Sequence, residues 1–191
     1  GTATLSGVMT NLSDPVDLNK TGAGAVTLSQ NQTYKNINAI AGGLTFDQNT
    51  VAATSLYIGG GEQTDTPVVT AQNGATLNVT NLIVGKATIS NGSPRTGTLT
   101  VTGTGTNLNA SSSVSVQNGT MNVLNGARLH TDQALAVAAF NSGVTVTVSG
   151  AGSDLDIAKA LTVGSQGGSG TVNVAAGAKA TVNTGITLAQ D

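Results

Sequence analysis

The residues with the greatest chemical potential lie in two short stretches of the second half of the chain. Ala127–His130 contains the single histidine of the sequence, and Asp154 and Asp156 flank Leu155. In a β-strand, alternate side chains point to the same side, so these two carboxylates would lie about 7 Å apart on one face. That separation is compatible with the acid pair of a glycoside hydrolase.

The neighbouring positions favour a surface ladder of ion pairs over a catalytic site. If the strand of Asp154 stacks on the strand of Arg128, then Arg128 lies beside Asp154, His130 beside Asp156, and Lys179 on the next strand. Exposed ion pairs of this kind contribute about 0–1 kcal/mol each. The sequence also lacks the G-x-S-x-G and G-D-S-G motifs of serine nucleophiles. We therefore expect no catalytic residue, and a polysaccharide-active enzyme stays as the alternative.

The remaining acidic and glycine-rich segments predict neither a metal nor a cofactor. Glu62 with Asp65, and Asp14 with Asp17, offer two carboxylates each, whereas calcium takes about 6–8 oxygen ligands. The absence of cysteine excludes disulfides and thiolate sites. Glycine-rich stretches such as Gly150-Ala151-Gly152 precede no helix that would receive a phosphate, so we interpret them as turns.

Composition narrows the possible partners. The net charge is −2 and the few lysines and arginines are scattered, so nucleic acid is not an expected partner. No apolar run approaches the ~20 residues of a membrane span. The chain opens at Gly1 without a signal peptide, and we expect any export signal to lie outside it.

The elements that would position these residues follow from a repeat. Four segments with a shared pattern start 22, 25 and 26 residues apart: Thr98–Val101, Thr120–Val123, Thr145–Val148 and Thr171–Val174. Two further short segments of alternating apolar and polar residues lie between successive members, and the sequence also repeats at an offset of 47. Alternation with a period of two predicts strands with one buried face. Its recurrence in triplets predicts an all-β fold, a right-handed parallel β-helix (three-strand β-solenoid) of roughly seven rungs.

Stacked rungs would place like residues above like. Two inward columns are predicted: Leu99, Met121, Val146 and Val172, and Val101, Val123, Val148 and Val174. One outward column is predicted, namely Thr98, Thr120, Thr145 and Thr171, beside Thr100, Asn122, Thr147 and Asn173. Thr-x-Thr ladders on a flat face occur in some ice-binding proteins. Threonine is equally a favoured strand residue, and stacked asparagines hydrogen-bond to one another.

The first half is less regular but continues the same pattern. Strands are predicted at Ala25–Leu28, Ile37–Ile40, Gly43–Phe46, Ser55–Ile58, Val68-Val69, Ala75–Val79 and Leu82–Val84. Residues 59–67 are predicted to form a protruding loop. We expect one domain over 1–191, and because no polar capping repeat is evident, we expect it to be a segment of a longer solenoid.

The residues of this first half resemble a known repeat. Leu18–Ser29, followed by Asn31, Thr33-Tyr34 and Gly42–Leu44, resembles the autotransporter-associated β-strand repeat, approximately L-x-K-x-G-x-G-x-L-x-L, then N-x-x-Y-x-G, then G-x-L. The resemblance covers about residues 18–46 and departs at Lys35-Asn36, where the family prefers a small residue and glycine. Later segments such as Ala160–Gly164 and Gly168–Val174 also resemble autotransporter passenger rungs.

This resemblance implies a surface-exposed passenger of a Gram-negative bacterium, anchored in the outer membrane by a C-terminal translocator. Such passengers are commonly adhesins, self-association factors or other virulence proteins. The implied partner is a host-cell or extracellular-matrix surface, or another copy of the chain. A passive spacer, a polysaccharide-active β-helix enzyme and an ice-binding solenoid are the alternatives.

Overall fold

The fold is all-β in the computed structural model, which describes residues 2–5, 14–59, 65–86, 94–138, 142–165 and 167–188. Twenty strands, β1 to β20 in chain order, account for the regular structure of these residues, and none of the ranges contains a helix. Accordingly, the described ranges offer no helical segment with the length and apolarity that a membrane crossing requires.

The strands form two sheets. The first sheet contains β1 (Thr2–Leu5), β3 (Ala25–Leu28), β5 (Gly43–Asp47), β7 (Val68–Gln72), β9 (Gly97–Thr102), β12 (Gly119–Leu124), β15 (Ser142–Ser149) and β18 (Ser169–Ala175). The second sheet contains β2 (Leu18–Lys20), β4 (Gln32–Ala39), β6 (Thr50–Ile58), β8 (Thr76–Val84), β10 (Asn107–Ala110), β11 (Val114–Val116), β13 (Arg128–Thr131), β14 (Leu135–Val137), β16 (Asp154–Ile157), β17 (Ala160–Val163), β19 (Lys179–Val182) and β20 (Gly185–Leu188).

Parallel pairing joins the strands within each sheet. After each strand of the first sheet the chain forms one or two strands of the second, then returns to pair with the strand it left. We call the stretch from one first-sheet strand to the next a coil. Among the described residues, the one antiparallel contact is a single bridge between Lys86 and Arg95. The arrangement is therefore solenoid-like.

The registers confirm the predicted columns of the second half. Thr98, Thr120, Thr145 and Thr171 occupy successive partner positions. The valine column headed by Val101 is aligned in the same way. The first sheet has eight strands, and β1 is the one that the sequence does not predict.

The predicted strand at Ala25–Leu28 matches β3, whereas β4 to β8 are longer than the sequence predicts. The predicted strand at Ser55–Ile58 is the end of β6, which begins at Thr50, and the two predicted strands before and after Thr80 join in the nine-residue β8. In both strands a polar residue, Thr54 or Thr80, is skipped by the pairing while the flanking residues stay in register. These strands bend at that point instead of ending, because the ladder resumes on the other side.

The core consists of inward columns from both sheets. Leu99, Met121 and Val146 are fully buried. Val172 and Val174 were predicted to be buried like the rest of their columns, but Val172 is half-buried and Val174 is 46% exposed. The reason is that β18 is the last strand of its sheet, so no further strand of the described chain covers it.

Alternating corner turns explain the 47-residue offset, which equals two coils. In alternate coils a two-residue turn joins the first-sheet strand to the following second-sheet strand, and both turn residues have positive φ. A buried or half-buried alanine follows the turn, as in Asn73-Gly74-Ala75, Asn125-Gly126-Ala127 and Ala176-Gly177-Ala178. The intervening coils use Gly-x-Gly followed by a buried hydroxyl. Thr106 Oγ1 accepts a hydrogen bond from Gly74 N, and Ser153 Oγ accepts one from Gly126 N, both at 3.0 Å. Each hydroxyl thus links its coil to the preceding one.

Lys20 has a structural role at the corner that follows β2. Its side chain is buried, and Nζ donates to the carbonyl oxygens of Thr21 at 3.0 Å, Gly22 at 2.7 Å and Ala41 at 2.8 Å. All three donors of the ammonium group are therefore satisfied. The side chain ties the corner after β2 to the next coil.

The turn at Ala176 yields a stability prediction. Ala176 adopts φ +52°, a left-handed conformation that is unfavourable for alanine and that asparagine tolerates better. Ala176→Asn, which copies Asn73 and Asn125, should stabilise the last coil by about 0.5–1 kcal/mol. Hydrogen exchange of the β18 and β19 amides would measure this. The control is Ala175→Asn, because Ala175 does not adopt the left-handed conformation. If both variants gained the same stability, the explanation from the left-handed conformation of Ala176 would be contradicted.

Candidate functional site

A charged cluster lies on the outer face of the second sheet, where β13 and β16 pair. The register places Arg128 beside Asp154 and His130 beside Asp156, as predicted from the sequence. Strand alternation sends Leu129 and Leu155 into the core and leaves the four polar side chains outside. The backbone ladder therefore fixes which charges are neighbours.

Besides the contacts between register partners, the cluster contains an ion pair that runs diagonally from one strand to the other. Arg128 Nη2 donates to Asp156 Oδ2 at 2.7 Å, diagonally across the ladder, while its Nε lies 3.5 Å from Asp154 Oδ2. His130 Nδ1 lies 2.9 Å from the same Asp156 oxygen, and His130 Nε2 lies 2.9 Å from Asp132 Oδ1. Asp132 was not predicted from the sequence. The sequence contains a pattern that could have predicted it. In an extended segment, the H-x-D spacing of His130 and Asp132 places both side chains on the same side.

The electrostatics of the cluster favour a structural network. Burial alone would raise the pKa of Asp156, but the hydrogen bonds and charges of Arg128 and His130 outweigh it and hold that pKa below its ordinary value of 3.8. The acid of a glycoside hydrolase needs the opposite shift. Both ring nitrogens of His130 lie 2.9 Å from a carboxylate oxygen, one from Asp156 and the other from Asp132.

Asp154 and Lys179 take little part in the network. Lys179 stacks in register on Asp154, as predicted, but in the described part of the chain it forms no ion pair with that carboxylate. Asp154 Oδ1 is buried, and no hydrogen-bond partner for it is found among the described residues. Asn107, at the equivalent position two coils earlier, instead donates from Nδ2 to Gly105 O at 2.7 Å.

A second candidate surface lies on the first sheet. The predicted threonine column is in register, with Thr98, Thr120 and Thr145 half-buried and Thr171 exposed. The column beside it extends further than predicted, through Thr27, Thr45, Thr70, Thr100, Asn122, Thr147 and Asn173. We call the eight Thr and Asn side chains that these two columns contribute on β9, β12, β15 and β18 the threonine face. These positions carry no charge.

The other predicted positions carry no assembled site. Asp17 accepts a hydrogen bond from Asn36 Nδ2 at 2.9 Å, and Asp14 is exposed. Glu62 lies outside the described residues, as do residues 60–64 of the predicted loop at 59–67. Within the described ranges, no group of three or more histidine or acidic residues is arranged to hold a metal ion.

No protein-family model matches the chain, and no curated protein or solved structure is significantly similar to it. The site must therefore be interpreted from its own geometry.

The cluster geometry predicts unequal roles for its two aspartates. Asp156→Asn should lower the free energy of unfolding at pH 7 by about 1 kcal/mol, because it weakens two charge-assisted hydrogen bonds. Since the folded-state pKa of Asp156 is depressed, this contribution is present above pH 3.8 and is lost as the pH falls through the folded-state value. Urea unfolding at pH 7 and pH 3 would measure it.

Asp154→Asn is the matched control on the same strand. It should change the stability by less than about 0.5 kcal/mol, because Asp154 makes only the longer contact with Arg128. Equal losses in the two variants, or an Asp156→Asn effect that persists unchanged at pH 3, would contradict the diagonal network.

Proposed function

We propose that this chain is a segment of a right-handed parallel β-helix from an autotransporter passenger, displayed at the surface of a Gram-negative bacterium. The parallel registers, the three strands per coil in the second half and the continuous inward columns support the β-helix. The resemblance of residues 18–46 to the autotransporter repeat supports the passenger assignment.

We propose adhesion or self-association as the role of the segment, with another copy of the chain or a host surface as the partner. The threonine face is the observation that carries this proposal. It presents hydroxyl and amide groups in two columns over four strands about 4.8 Å apart, without a charge that would repel a second copy. Individually weak polar contacts gain strength when many form along one rigid surface.

The same array is the observation that keeps ice binding as a second candidate. Threonines of one column recur at the strand spacing, and on β9 and β15 the two columns form Thr-x-Thr pairs, Thr98 with Thr100 and Thr145 with Thr147. On β12 and β18 asparagine replaces one threonine of the pair, and Asn122 Nδ2 donates to Thr100 Oγ1 at 3.4 Å. This interruption makes the hydroxyl array less regular, which favours a protein partner.

Sedimentation equilibrium tests the proposal. Thr98→Lys/Thr145→Lys places two charges on the threonine face, two coils apart, and should abolish concentration-dependent dimerisation. The matched control is Ser115→Lys/Thr162→Lys, also two coils apart but on the second sheet, which should dimerise like the unmodified chain. The same two variants, displayed on bacteria, should differ in cell aggregation in the same way.

The other outcomes separate the alternatives. Association that persists in both variants would contradict the proposal and place the contact at the strand edges of β18, β19 and β20, where Ile186 and Leu188 are more than half exposed. A strict monomer without aggregation or host-surface binding would leave a passive spacer. Thermal hysteresis that is lost only in Thr98→Lys/Thr145→Lys would establish ice binding instead.

A further inference from the structure

We draw no further inference here: the strongest candidate, the pocket of about 270 Å³ that Tyr57, Ile83 and Lys86 line at the ends of β6 and β8 on the outer face of the second sheet, carries nothing because nothing in the structure shows what occupies it.

Discussion

In-register stacking of alternating strands is the constraint on which the rest of the structure depends. Because side chains alternate between the two sides of a strand, a one-residue slip would turn every inward column outward. The apolar columns at Leu99 and Val101 and at the positions above them therefore fix the register of β9, β12 and β15. Once that register is fixed, the outward residues are also aligned in columns. The threonine face therefore results from the same register that aligns the apolar residues of the core.

Many polar side chains in the described part of the chain bond to other groups of the same chain. Asparagine side chains bond from coil to coil, as Asn38 Nδ2 does to Asn19 Oδ1 at 2.8 Å and Asn109 Nδ2 to Asn78 Oδ1 at 2.9 Å. The charged cluster is likewise bonded within the chain, since Asp156 Oδ2 lies within hydrogen-bond distance of both Arg128 and His130. Such ladders hold adjacent coils together with little net charge.

The sequence predicts what depends on periodicity and misses what depends on bending. The 22-, 25- and 26-residue spacing was sufficient to align Thr98 with Thr120, Thr145 and Thr171, and to place His130 beside Asp156. The spacing could not predict the diagonal bond from Arg128 to Asp156, because this bond depends on how far the arginine side chain extends across the sheet. The continuity of β6 across Thr54 and of β8 across Thr80 was also missed, because polar residues at these positions resemble loop residues in the sequence.

Disulfide trapping tests the stacking most directly, since the chain contains no cysteine of its own. Thr100 and Asn122 are register partners on adjacent strands, and partner Cα atoms about 4.8 Å apart are within disulfide range. Thr100→Cys/Asn122→Cys should therefore form an intrachain disulfide under mild oxidation, while Thr100→Cys/Thr147→Cys, two strands apart, should remain reduced. Failure of the adjacent pair to close in the folded protein, or efficient closure of the distant pair, would contradict the stacked register.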